Sequence, residues 1–155
     1  MELSKKSKIV QDYLAKFDLN LEVLEMPGTT RTAEDAAKAI GCQVGQIVKS
    51  LVFKSGNSPI LFLVSGINKL DINKFQKINS IIIEKANADY VKEITGFSIG
   101  GVPPAAHKTE MKTFIDKDLL KYEFVWAAAG MPFSVFKIES TDLEKITSGK
   151  IVELN

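Results

Sequence analysis

The chain holds one cysteine, one histidine, one tryptophan and one arginine in 155 residues. With Cys42 unpaired and His107 alone, it can form neither an intramolecular disulfide, nor a cysteine-rich zinc site, nor a two-histidine metalloprotease helix. No metal and no cofactor are therefore expected. No apolar run approaches the ~18 residues a membrane span needs, and Met1-Glu2-Leu3-Ser4-Lys5-Lys6-Ser7-Lys8 leads into an amphipathic stretch without a sustained apolar core. A reducing cytoplasm is the expected compartment, with no membrane partner. One-sided charge is missing too: 20 Lys plus Arg stand against 19 Asp plus Glu, so a polyanionic partner would need a local patch. The lysines Lys54, Lys69, Lys74 and Lys77 are the candidates for one. No Gly-x-Ser-x-Gly elbow, Walker loop or dinucleotide fingerprint occurs.

What is present is ordinary globular composition, 45% hydrophobic and 25% charged, at a length that fits a single domain over residues 1–155. Ile9, Val10, Tyr13, Leu14 and Phe17 recur at helical spacing and predict an amphipathic helix over roughly 4–17. A strand at Glu22 to Met26 is followed by a Pro27-Gly28 break. Thr32 then caps a helix over Ala33 to Ile40, with Glu34 and Asp35 in its first turn and Gly41 past its end. Two strands, Ile47 to Lys54 and Pro59 to Val64, flank Ser55-Gly56-Asn57-Ser58 as a hairpin. Further helices are predicted over Leu70 to Ile78 and Ala88 to Thr95, with a strand at Ile81-Ile82-Ile83 between them.

Strands are also expected at Thr113 to Ile115, Phe124 to Ala128, Phe133 to Ile138 and Ile151-Val152, with a helical turn over Asp116 to Leu120. Thr141 and Glu144 have capping-box spacing before a short helix ending near Gly149. Hairpins imply antiparallel pairs, so the class is mixed α/β, that is α+β, with a sheet able to curl on itself.

Two features stand out for chemistry. Lys49 lies mid-strand; alternation gives it one face with Ile47, Leu51 and Phe53, leaving Val48, Ser50 and Val52 on the other. It is either an edge-strand lysine that deters aggregation or snorkels to water, or a cation held in a cleft for an oxygen ligand. The stretch Gly100-Gly101-Val102-Pro103-Pro104 supports neither helix nor strand. It is either a tight turn or a loop whose free amides point at an oxygen. His107 reads as a general base or as a solvated or capping residue. Cys42 reads as packing, and Trp126 beside Ala127-Ala128-Ala129-Gly130 as either a core wedge, the favoured reading, or the floor of a small pocket.

Taken in order, Thr30-Arg31-Thr32-Ala33-Glu34-Asp35-Ala36-Ala37, Gln46 through Lys49-Ser50 to Phe53, Thr95 through Gly100-Gly101-Val102-Pro103-Pro104 to His107, Ile115-Asp116, and Ala127 through Gly130 to Leu143 resemble the YbaK/EbsC family. This is the family of aminoacyl-tRNA deacylases that includes the editing domain of prolyl-tRNA synthetase. The resemblance covers roughly residues 22–153. It implies a mainly antiparallel sheet curled into a partly closed barrel with helices around it. It implies an enzyme that hydrolyses the ester of a mischarged tRNA carrying a small amino acid, with an aminoacyl-tRNA synthetase as a further partner.

By the same resemblance Lys49 holds the substrate end, and Gly100 and Gly101 open the Gly-x-x-x-Pro loop that presents backbone groups to ester and water. Thr30, Arg31, Ser50, Val102, Pro103, Pro104, His107, Gly130 and Phe133 would line the substrate. No metal is used, and the substrate's own neighbouring groups activate the water. Ser50 stands where some relatives carry Asn or Thr, Ala105-Ala106 where a larger residue and Gly are common, and Phe133 where His or Asn is frequent, which leaves the amino acid open. Two other readings are a non-catalytic module binding a nucleotide, an aminoacyl group or a synthetase, and an esterase pairing Ser98 or Ser134 with His107.

Overall fold

Capping chemistry sets the helix starts in the computed structural model, which describes residues 3–155. Met1 and Glu2, the start of the domain expected over 1–155, lie outside the described residues. Helix α1, Lys5–Leu14, begins where the Ser4 side chain accepts from the Ser7 amide at 3.3 Å, and it buries Val10 and Leu14 one turn apart. Helix α2, Ala33–Ile40, opens at Thr32, whose Oγ1 accepts from the Asp35 amide at 3.0 Å. It ends at Gly41, whose φ of 84° is left-handed. Helix α3, Ile72–Asn79, starts later than the apolar spacing predicts, because the Asp71 carboxylate takes the Lys74 amide and leaves Leu70 outside. Helix α4 is Ala88–Thr95 and α5 is Leu143–Thr147.

Among the described residues eight strands make one sheet: β1 Val23–Glu25, β2 Ile47–Ser55, β3 Ser58–Ser65, β4 Glu84–Lys85, β5 Lys112–Asp116, β6 Phe124–Ala128, β7 Ser134–Glu139 and β8 Lys150–Val152. Their order is β1-β7-β6-β2-β3-β5-β8, with β4 added on β2. The hairpins β2–β3 and β6–β7 are antiparallel as expected, and β1–β7 and β2–β4 join them. The pairs β2–β6, β3–β5 and β5–β8 are parallel, so the sheet is mixed. It is not closed, since β1 and β8 end the order without pairing to each other.

Two expected elements differ. Ile81 to Ile83 form no strand: the Gln76 side chain takes the Ile83 amide at 2.9 Å, and pairing begins only at Glu84. The Thr141 and Glu144 capping box is not made. A 3₁₀ turn at Ser140–Asp142 precedes α5, and Ser140 is instead anchored through its Oγ to the Tyr122 carbonyl at 2.6 Å.

Strand β2 divides the core as alternation requires. Val48 and Val52 pack with Leu61, Leu63 and Phe136 on one side. Phe53 joins Phe62, Phe75 and Phe114 on the other, where Phe62 meets Phe75 edge-on at 4.8 Å between centroids. Strand β2 is interior, with β3 along one side and β6 and β4 on the other, so the edge-strand reading of Lys49 is overturned. The partners on that second side do not meet. The ladder to β6 stops at Val48 and the ladder to β4 begins at Phe53.

Candidate active site

That break in the ladder opens into a cavity of about 560 Å³ lined by every residue from Ile47 to Phe53. Its other walls come from the start of α2, from β6, and from Ile99, Gly100 and Val102. Local bonding fixes each wall. The Thr30 amide donates to the Pro132 carbonyl at 2.6 Å, and the Arg31 amide donates to Thr29 Oγ1 at 3.2 Å, which ties residues 29–31 to the β6–β7 connection. Arg31 then lies against Gly100: a Cβ on Gly100, whose φ is +99°, would sit 3.0 Å from Arg31 Cγ. The glycine loop is sewn to the end of α4 through Lys108 N to Thr95 O and Thr109 N to Ile94 O.

The cavity gathers Thr30, Arg31, Lys49, Ser50, Gly100 and Val102 of the expected site residues. Lys49 donates from Nζ to the Asn68 carbonyl. Asn68 in turn donates from its side chain to Asp116, at 2.9 Å, and to Asp118, at 2.8 Å. Burial lowers the Lys49 pKa, opposed by the charges of Glu34 and Asp116, while Lys69 adds to the lowering. An ammonium has three donors, so the bond to Asn68 leaves two for a ligand. Thr30 Oγ1 and Ser50 Oγ are buried without a hydrogen-bond partner. Such orphans cost about 1–3 kcal/mol each, and both belong to residues lining the cavity.

Gly101, Pro103, Pro104, His107, Gly130 and Phe133 do not line it. Gly101 donates its amide to the Ser98 carbonyl at 2.9 Å, so that N–H is spent within the loop. Its carbonyl accepts from Gly130 N at 2.9 Å, and a Cβ on Gly101 would lie 2.8 Å from the Gly130 oxygen. The two glycines therefore let the loop rest on the β6–β7 connection. Pro103 and Pro104 are buried. Phe133 lends its carbonyl to the Met26 amide at 2.6 Å. His107 is half-buried: its Nε2 donates to the Pro103 carbonyl at 2.7 Å, and burial lowers its pKa against that bond. It braces the loop from behind.

Ser134 is fully buried and bonded to Ser7 Oγ at 2.6 Å, and Ser98 is exposed with no bond to the imidazole, so neither forms an esterase pair with His107. Trp126 is half-buried and lines the cavity opposite Ile47, so of its two readings the pocket wall holds rather than the core wedge. Cys42 packs beside α2, and burial raises its pKa. Of the expected lysine patch, Lys54 faces Glu84 at 3.8 Å and Lys74 faces Glu153 at 3.1 Å, and none of its four lysines lines the cavity. Lys85 and Glu34, neither of them expected as a site residue, do line it. Pairing of Phe53 with Lys85 is what brings Lys85 there, and only the unrecognised two-residue β4 could have signalled it. Among the described residues no group of three His, Cys, Asp or Glu side chains is placed to hold a metal ion, and no helix is long and apolar enough to cross a membrane.

A mixed open sheet with a largely apolar cleft that holds a few polar groups, beside a central-strand lysine and a glycine–proline loop, defines a small-ligand site at a break in a β-ladder. The family model of the aminoacyl-tRNA editing domain matches residues 28–146, and the chain belongs to that family. It is 27% identical over 145 residues to the uncharacterized protein YwhH of Bacillus subtilis strain 168, covering 93% of this chain and 92% of that one. It is 32% identical over 109 residues to the proline–tRNA ligase of Maridesulfovibrio salexigens, covering 70% of this chain but only 18% of the ligase. A crystal structure solved as a candidate trans-editing enzyme for prolyl tRNA synthetase superposes with a TM-score of 0.94 at 42% identity, over 99% of each chain.

Proposed function

We propose that this chain is an aminoacyl-tRNA deacylase that acts in trans, hydrolysing the ester between a small, wrongly attached amino acid and the terminal ribose of a tRNA. The observation that carries the reading is the cavity itself: in a chain of the editing family, Thr30, Arg31, Lys49, Ser50 and Gly100 converge on one cleft of about 560 Å³. Water adds to the ester carbonyl carbon, a tetrahedral oxyanion forms, and the ester oxygen leaves as the ribose hydroxyl, taking a proton that the water supplied. The other product is the free amino acid. An activated ester of this kind needs a positioned water and oxyanion donors more than a covalent nucleophile.

Lys49 is assigned to holding the substrate end through its remaining ammonium donors, and the Gly100 amide to the ester and water. Gly101, Gly130, Pro103, Pro104 and His107 set the loop's height above the sheet. Arg31 and Lys85, at different parts of the wall, supply cations for the phosphates of the tRNA 3′ end. Apolar residues such as Val52, Val91 and Val102 favour a small side chain, where one methylene discriminates by about 1–3 kcal/mol. The step is assigned to no cofactor and no metal, and the partners are a mischarged tRNA and, through it, a synthetase such as that for proline.

The test is ester loss from a panel of tRNAs charged with each amino acid, mischarged tRNA(Pro) included, against a Lys49→Ala variant. Selective hydrolysis of small amino acids by the wild type alone is expected. Saturable binding with no turnover on any member would replace the deacylase with a binding module.

A further inference from the structure

The break in the β2 ladder leaves one residue with its whole backbone unpaired. In an antiparallel pair the N–H and C=O of a given residue point to the same side, and successive residues alternate. Gly66 N donates to Ile47 O at 2.8 Å, which turns Ile47, Lys49, Leu51 and Phe53 toward β3. The N–H and C=O of Ser50 therefore face the other way, where β6 has already ended and β4 has not begun. Among the described residues no backbone bond outside the ladders reaches them, and the buried Ser50 Oγ has no partner there either. An interior strand presenting a free donor and a free acceptor side by side is a pairing site for one more extended residue.

We infer that the aminoacyl group of the substrate docks as a one-residue β-bridge on Ser50. This rests on the deacylase reading above and says how that site holds its substrate. An aminoacyl ester carries, on a single residue, an amino N–H and a carbonyl oxygen, the complement of what Ser50 offers. The substrate amino group donates to the Ser50 carbonyl, and the Ser50 amide donates to the ester carbonyl, where it also supports the oxyanion. Opposed residues in a bridge share a face, so the amino acid side chain lies on the Ser50 side-chain face, with Val52, Val102 and the orphaned Ser50 hydroxyl. Peptide-like geometry, rather than a charged side chain, thus distinguishes an aminoacyl ester from an ester without an amino group.

The probe is 3′-alanylamino-3′-deoxyadenosine, an amide that keeps both bridging groups and resists hydrolysis, compared with its 3′-propanoylamino counterpart, which lacks the amino group. Amide hydrogen exchange is followed by NMR in the intact protein. Without probe, Ser50 exchanges faster than its laddered neighbours Lys49 and Leu51. Saturation with the alanyl probe slows Ser50 at least tenfold, and the propanoyl probe binds about ten- to a hundredfold more weakly because the Ser50 carbonyl stays unpaired. If the alanyl probe shifts the Thr30 and Gly100 signals while Ser50 exchange is unchanged, the bridge is wrong and the deacylase reading stands. Equal binding of the two probes overturns the amino half of the bridge. If neither probe perturbs the cavity, both the bridge and the deacylase reading fall.

Discussion

Replacing Gly101 by alanine tests whether the glycine loop owes its position to backbone contact. The added Cβ would lie 2.8 Å from the Gly130 oxygen and 2.9 Å from Gly130 C and Met131 N. Ordinary contact starts near 3.4 Å, so a separation of about half an ångström or more must come from backbone moving against backbone. Gly130 has nowhere to retreat, because its own Cβ position is 2.8 Å from the Lys6 carbonyl group on α1. Overpacking of this kind costs about 1–3 kcal/mol, which for a chain of this size lowers Tm by about 3–9 °C. The loop is the part that must shift away from Gly130, and a displacement near 1 Å at a positioning element costs about 10²-fold in rate. The assays are thermal unfolding and deacylation kcat/KM, with Gly28→Ala as control, since Gly28 has nothing within 4 Å of a Cβ. If Gly101→Ala melted with the control and kept its rate, the contact between loop and hairpin would not be what places Gly100.

Asp116→Ala removes a buried carboxylate that accepts from Ser65 N at 3.0 Å, Asn68 Nδ2 at 2.9 Å and Asp118 N at 2.9 Å. Stranding those donors should cost about 3 kcal/mol or more in urea unfolding, and a loss under 1 kcal/mol would refute the network. Ser134→Ala alone should destabilise by about 1–2 kcal/mol because Ser7 Oγ loses its buried partner, whereas the Ser7→Ala/Ser134→Ala double variant should recover most of that loss. Full deacylation by Ser134→Ala would confirm that this serine is no nucleophile. His107 has a folded pKa below its unfolded value, so the unfolded chain takes up a proton that the fold resists. Its contribution is fully present above about pH 6.5 and declines as pH falls toward the lowered folded value; urea midpoints from pH 7.5 to 5.5 should fall more for wild type than for His107→Gln.

How much of this was legible depended on whether the signal was local. Thr32 with Gly41 bracketed α2 correctly because capping is settled within a turn, and the β2–β3 hairpin followed from two alternating runs around a polar turn. Ile81 to Ile83 misled because β propensity cannot foresee that the Gln76 side chain would take the Ile83 amide. The same limit hid the role of Gly101, whose constraint is the distant Gly130, and the bond by which His107 holds the Pro103 carbonyl rather than lining the cavity. Lys49 was conspicuous, but whether its strand lay inside or at the edge depended on β6, over seventy residues further along the chain. Trp126 and Lys85 reached the cavity through pairing with β2, which no spacing in the sequence encodes.

The mixed topology itself makes the site. Along one side of β2 the antiparallel hairpin partner β3 runs in register from Val48 to Ser55 and takes the backbone of alternate residues, Lys49, Leu51 and Phe53 among them. Along the other, β6 arrives parallel and β4 antiparallel. Two strands running opposite ways beside the same neighbour cannot merge into one ladder, so a gap between them is unavoidable. In a closed core such a gap would carry a penalty, since buried backbone groups without partners cost as much as lost hydrogen bonds. Here it coincides with the cavity, with the only mid-strand lysine of β2 and with two orphaned hydroxyls. A ligand that carries its own donor and acceptor on one extended residue recovers that penalty on binding, so a defect in sheet pairing becomes a source of affinity for an aminoacyl group.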